Sequence, residues 1–363
     1  MVAVSCSQYE PFDSKAYLVG QYEKRVGKEA AAEIEVPFEL SNEILSQVLG
    51  RIDPGANEKN KTANILDFVF GPGGLKLQYQ LTPTRSATQT FYAREGNCLS
   101  FVNLFVGVAR SVRLNPSYVE VKDLQRWNYK NGVVVSQGHI VAGIQFDGRM
   151  STYDFLPYRQ KSYRDLKPIS DLTATAHFYN NLGAEALLAD DLPRASDYLT
   201  LANKLAPDFD KATNNLGVYY LRTDRVEQAL DLYDKGLVDR PKNVAYLTNK
   251  ARSLQLLGRA EEAIAVLDQI EDTNQTSPFF FVYRADVALS AGDYKEALAQ
   301  LRKAMRQDTE VPEVHIGLVK VYLAMGDTDQ AEHHVERALK LDATHKEARH
   351  YAAMMSQGSS AGQ

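Results

Sequence analysis

Apolar residues in the first third of the chain recur at helical spacing. SNEILSQVLGRI and KTANILDFVF read as amphipathic helices separated by the breaker DPGAN, and FGPGG closes the second. In residues 98–113, Leu99, Val102, Phe105, Val108, Ala109 and Val112 form one stripe, thickened by Phe101 and Leu104. That pattern predicts a central, largely buried helix. After Asn115-Pro116 the period becomes that of strands. SYVEVKDL is the first; GVVVSQGHIVAGIQF follows the turn Lys130-Asn131-Gly132, and STYDFLP follows Asp147-Gly148.

From residue 176 the helical period returns and the chain repeats itself. NNLGAEALLADDLPRASDYLTLANKLAP aligns with NNLGVYYLRTDRVEQALDLYDKGLVDRP at a step of about 34 residues. Ala195, Ala229, Ala263, Ala297 and Ala331 fall in one register, where a second helix must approach the first closely. Gly183, Gly217, Ala251 and Ala285 do the same on the first helix of each pair, and Val319 breaks the pattern in the fifth. Pro207 and Pro241 stand where second helices end. These residues resemble the tetratricopeptide family over about 176–345, which implies five stacked helix pairs in an all-α solenoid. KEARHYAAMMS reads as a capping helix, and the last residues as a disordered tail.

Composition narrows the function classes. With 363 residues, 44% hydrophobic and 24% charged, the chain is ordinary globular material for two or three domains. No apolar run approaches the roughly 18 residues of a membrane span. Residues 1–170 carry 20 Lys+Arg against 17 Asp+Glu, and the remainder 21 against 29, so the parts stand at +3 and -8. Neither is the basic footprint of a nucleic-acid binder. Two cysteines exclude a disulfide framework.

Cys98 follows a Gly-Asn pair at the mouth of the buried helix. There the unpaired backbone NH groups and the positive end of the helix dipole favour a thiolate. His139 lies on the second predicted strand and Asp154 on the third, an order that sets a base beside a nucleophile and a carboxylate beside the base. Taken singly, the cysteine also fits a buried core position, the histidine a structural one and the aspartate a turn.

GNCLSFVNLFVGVAR around Cys98, GHIVAGIQFDG around His139 and TYDFLP around Asp154 resemble the transglutaminase-like branch of the papain-type cysteine enzymes, over about residues 60–160. The resemblance implies an α+β domain in which Cys98 is the nucleophile, His139 the general base and then acid, and Asp154 the residue orienting the imidazole. The backbone NH of Cys98 is the natural oxyanion donor. Where the family often has an acidic residue after the cysteine, this chain has Leu99-Ser100.

The expected organisation is an N-terminal extension (1–38), a transglutaminase-like domain (39–165), a linker (166–175), five repeats (176–345), a capping helix (346–356) and a tail (357–363). The leading function is a cysteine-dependent acyl-transfer enzyme on protein or peptide amides, peptidase or transglutaminase in type, without a cofactor. Its alternative is a non-catalytic interaction scaffold. Asn181, Asn215 and Asn249 recur every 34 residues on first helices, which in this family line the concave surface. Their amides, with Lys211, Arg222 and Arg252 nearby, suit an extended peptide, although such residues also bond within their own helix pair. Trp127 is either a wall of a substrate tunnel or a half-buried turn residue. His333 and His334 diverge on a helix, and no cluster has metal-ligand spacing. Cys6 after MVAVS has small residues before it, as at a bacterial lipoprotein signal, but no charged or full apolar region precedes it. As written the chain reads as soluble and cytoplasmic, and as a periplasmic lipoprotein if the start is truncated at Cys6.

Overall fold

The computed structural model describes residues 14–130, 133–146, 148–156, 163, 165–271 and 278–360. The chain divides into two compact units, residues 1–128 with 135–219, and residues 220–363 with 129–134. Cys6 lies outside the described residues.

The first unit opens with α1 (Ser14–Val26), α2 (Lys28–Ala32), α3 (Asn42–Leu49) and α4 (Glu58–Phe70), followed by α5 (Ala87–Ala93) and α6 (Cys98–Ser111). Side-chain caps start the helices: Ser41 accepts from Ile44 N, Asn57 from Asn60 N, and Ser86 forms a reciprocal box with Gln89. Two short strands, β1 (Gln78–Tyr79) and β2 (Glu95–Gly96), pair in parallel just ahead of Cys98. The main sheet contains β3 (Pro116–Lys130), β4 (Val133–Phe146), β5 (Arg149–Tyr153) and β6 (Leu166–Ile169), in the order β5-β4-β3-β6. β5 runs antiparallel to β4 with Gly143 opposite Thr152, and β6 antiparallel to β3 with Glu120 opposite Lys167.

Every residue of α6 from Cys98 to Ala109 is buried. The helix packs in one core with α1, α3, α4, and Tyr118, Ile140, Ala142 and Ile144 of the sheet. The three strands and the helix expected from periodicity are therefore present. β6 is an addition, formed by residues assigned to a linker. Trp127 falls within β3 rather than in a turn, and its side chain lies outside the described residues.

Helices α7 (Asp171–Leu188), α8 (Leu192–Leu205) and α9 (Asp210–Arg222) follow. Then come α10 (Val226–Asp239), α11 (Val244–Leu256), α12 (Ala260–Glu271), α13 (Pro278–Ser290), α14 (Tyr294–Gln307), α15 (Pro312–Met325), α16 (Thr328–Leu341) and α17 (Lys346–Ser360). Ala195, Ala229, Ala263, Ala297 and Ala331 are all fully buried, as close helix approach demands. At Gly183 a Cβ would stand 2.6 Å from Leu199, so only the smallest residue admits α8 there. Helix dominates the described residues.

The units do not divide at the expected 166–175 linker. α7 and α8 share the first core through Ala174, Ala176, Phe178, Tyr179, Ala202 and Leu205. Polar contacts reinforce this: Tyr22 meets Thr175 at 2.8 Å, Glu35 N donates to the Tyr179 phenol at 3.0 Å, and Arg110 makes a two-pronged ion pair with Asp171 at 2.8 Å. From residue 14 onward the expected N-terminal extension is likewise part of the fold, since Leu18 and Tyr22 are buried in that core.

Candidate functional site

Cys98 is the first residue of α6, and Asn97 caps it by accepting from Ser100 N at 3.0 Å. Gly96 is required by a close approach. A Cβ there would lie 2.6 Å from the Ser100 Cβ, so the Gly-Asn-Cys turn closes tightly only without one. Leu99 and Ser100 both point inward, and Ser100 Oγ accepts from Arg85 N at 2.8 Å while donating to Asn97 Oδ1 at 3.0 Å. The position that the family often fills with an acid is thus used for packing.

His139, on β4, is fully buried, and its Nε2 lies 3.1 Å from Asp154 Oδ1. Asp154 follows β5, and its carboxylate also accepts from Leu156 N at 3.1 Å. Nδ1 of His139 is buried without a hydrogen bond of ordinary geometry. The Cys98 thiol is near enough to the ring to act on its charge. Burial alone would lower the His139 pKa. The bonds and charges of Asp154 and Cys98 outweigh it and raise the ring to about 9. Burial would raise the Asp154 carboxyl, but hydrogen bonds from His139 and Tyr163 hold it below its ordinary value. The three predicted residues therefore come together, with His139 bonded to Asp154 and the Cys98 thiol close enough to influence the ring.

A fourth residue, Tyr163, joins them. Its hydroxyl bonds the free oxygen of Asp154 and lies 3.2 Å from His139 Nε2, with the two rings 5.8 Å apart. Sequence reasoning missed it because a tyrosine in a polar stretch carries no periodic signal. Behind the site, Phe155 packs against Phe70, Phe101 and Phe105 at ring separations of 5.1–6.5 Å. These rings come from the residue after Asp154, from the α6 stripe and from the end of α4.

The residues expected to line a peptide groove are placed differently. Asn215 and Asn249 are fully buried and Asn181 nearly so. Asn215 Nδ2 donates to Asn180 Oδ1 at 2.8 Å, and Asn249 bonds the Tyr233 phenol. Asn215 and Asn249 thus serve the interior of the helix stack rather than a binding surface, while Asn181 is buried with its Oδ1 unpaired. Lys211 is turned inward as well, with Nζ 2.8 Å from buried Glu120. Lys122 reaches the other oxygen of Glu120 at 2.5 Å, and His177 stands 4.0 Å away. Burial alone would raise Glu120. The cations facing it, Lys211 and Lys122, hold it below its ordinary value, at about 2. Burial drives His177 down to about 3. Arg252 is half-buried and donates to Gln255 at 2.8 Å, and Arg222 is half-buried too.

Among the described residues no group of three or more His, Cys, Asp or Glu is arranged to hold a metal, and no helix is long and apolar enough to cross a membrane.

Models of the tetratricopeptide repeat match residues 214–278, 248–313 and 288–357. Residues 214–357 are tetratricopeptide repeats. The repeats are similar to a TPR repeat-containing protein of Treponema pallidum, 35% identical over 105 residues. That match takes in 29% of this chain and 13% of the relative, so the chain spans a small part of the curated protein it resembles. Two solved structures are similar. A thermophilic TPR protein from Thermus thermophilus is 22% identical, with 49% of this chain and 97% of that one covered at a TM-score of 0.47. MamA from Desulfovibrio magneticus is 17% identical, with 47% and 97% covered at 0.36. The family match begins after the first helix pair recognised in the sequence, α7 and α8.

Proposed function

We propose that the chain is a cysteine-dependent acyl-transfer enzyme whose first unit is a transglutaminase-like domain, and whose repeats dock a protein or peptide substrate or partner. The observation that supports this most is the His139 ring, bonded through Nε2 to Asp154, raised by both Asp154 and Cys98, and left with an uncommitted Nδ1. The Cys98 sulfur attacks an amide carbonyl carbon, and the C=O electron pair moves to oxygen, where the first-turn NH of Cys98 stabilises it. As that pair returns, the C–N bond breaks and His139 gives its proton to the leaving amine. The thioester is then resolved by water or by a second amine, which loses its proton to His139. Asp154 keeps the ring oriented and its charge balanced.

The second reading is an interaction scaffold without turnover, favoured by the extent of the repeats and by a Cys98 only 7% exposed. The experiment compares wild type with Cys98→Ala on a denatured protein substrate in the presence of a dansylated primary amine. Cysteine-dependent amine incorporation supports transamidation, and new amino termini support hydrolysis. Neither product, with Cys98 no more reactive than a model thiol, leaves the scaffold.

A further inference from the structure

Glu185 lies on α7, far from Cys98 in sequence, and it closes a one-way hydrogen-bond chain that ends at the nucleophile helix. Its carboxylate accepts from Thr84 N at 2.9 and 3.1 Å and from Thr84 Oγ1 at 2.6 Å. Because that hydroxyl proton is spent on Glu185, Thr84 Oγ1 presents only lone pairs on its other side, where Asn97 Nδ2 donates to it at 2.7 Å. Leu81 O also accepts from the same Nδ2, at 3.4 Å. The Asn97 amide is thereby fixed with nitrogen toward Thr84 and oxygen toward α6. That orientation is the one that caps Ser100 N and receives Ser100 Oγ, both at 3.0 Å. Thr84, Asn97 and Ser100 are buried, so water cannot substitute for a missing partner.

Without an acceptor-only group beside Thr84, the hydroxyl is free to donate toward Asn97 instead. The amide can then turn over, and its NH₂ would face Ser100 N, donor against donor. We propose that Glu185 is a positioning residue for Cys98, acting through Thr84 and Asn97 to hold the first turn of α6. The proposal rests on the reading of Cys98 as a reactive thiol. It places a residue of α7, the helix that begins the repeated pattern, in the scaffold of the thiol itself.

The test uses the full chain and follows iodoacetamide alkylation of Cys98 across pH, with the thermal midpoint recorded for each variant. Glu185→Gln keeps the volume but offers an NH₂ to Thr84. It should slow alkylation near pH 6 by about fivefold, the equivalent of a lost helix cap. Thr84→Val should do the same, and Thr84→Ser, which keeps the hydroxyl, should restore the wild-type rate and pH profile. Rates within twofold of wild type for Glu185→Gln and Thr84→Val would overturn the proposal, as would a loss of thermal midpoint with an unaltered pH profile. If wild-type Cys98 itself reacts no faster than a model thiol, the reading on which the proposal rests fails and the proposal falls with it, whereas a reactive wild type with unchanged variants overturns the proposal alone.

Discussion

The Tyr22 phenol and the Thr175 hydroxyl meet at 2.8 Å in the interior, joining residues 153 positions apart. Helix α7 thus begins the repeated pattern while its inner face belongs to the first core. A fragment starting at residue 170 would expose Phe178, Tyr179 and Ala176 to water, at about 25 cal/mol per Å² of apolar surface. It should show less helix per residue by circular dichroism than the full chain and should self-associate on gel filtration. A monomeric fragment with undiminished helix would show that the first repeat pair stands without α1.

Reactivity of Cys98 is the second expectation. With His139 raised to about 9, the imidazolium persists beside the sulfur through neutral pH. Iodoacetamide should label Cys98 near pH 6, where an ordinary thiol of pKa about 8.5 is almost unreactive. His139→Ala should abolish that labelling and leave the fold intact. Persistent labelling in His139→Ala would assign the reactivity to the helix terminus alone.

Tyr163→Phe removes a hydroxyl that draws charge from Asp154. The carboxylate should then hold the imidazolium more firmly, and the His139 titration should move upward by up to about one pH unit. Ring-proton NMR against pH measures this directly, and an unmoved titration would reduce Tyr163 to packing.

Stability should peak near pH 6.5, for opposed reasons on the two sides. His139 is raised, so its contribution is complete below the unfolded value and is lost as pH climbs through 9. His177 is lowered to about 3 and Glu120 to about 2, so theirs are present above the unfolded values and are lost as pH falls from 6.5 to 3 and from 4.5 to 2. Thermal midpoints across pH should therefore form a dome, with His139→Ala flattening its alkaline side and His177→Phe its acid side.

Lys211→Met should act on folding rather than on partner capture. Removing one cation from buried Glu120 should cost about 3 kcal/mol, moderated by Lys122. Chemical denaturation measures the loss. A variant as stable as wild type but defective in holding a partner would return Lys211 to a binding surface.

Periodicity carried the helices and strands where burial is one-sided, α6 was legible as a nearly continuous apolar run because it is buried all round, and the alanine register was legible because close packing at five points admits little else. That Cys98, His139 and Asp154 would meet was expected from residue order, and they do so from the start of α6, from β4 and from just beyond β5. What stayed hidden depends on distance in sequence. Glu185 and Thr84 meet across 101 residues, and Tyr22 and Thr175 across 153, and no local pattern announces either pair. The asparagines misled for a related reason. Their spacing is real, but spacing alone does not distinguish the inner from the outer side of a stacked helix, and only burial showed that Asn215 and Asn249 face inward.

The bond from Asn215 to Asn180 gives the stack an index mark. Apolar faces tolerate sliding, whereas this buried amide-to-amide bond forms at one alignment only. Insertion or deletion of a single residue between them would strand both groups, at about 1–3 kcal/mol each. Length at this step of the chain is thereby counted by chemistry rather than by shape, and loops elsewhere are freer to drift.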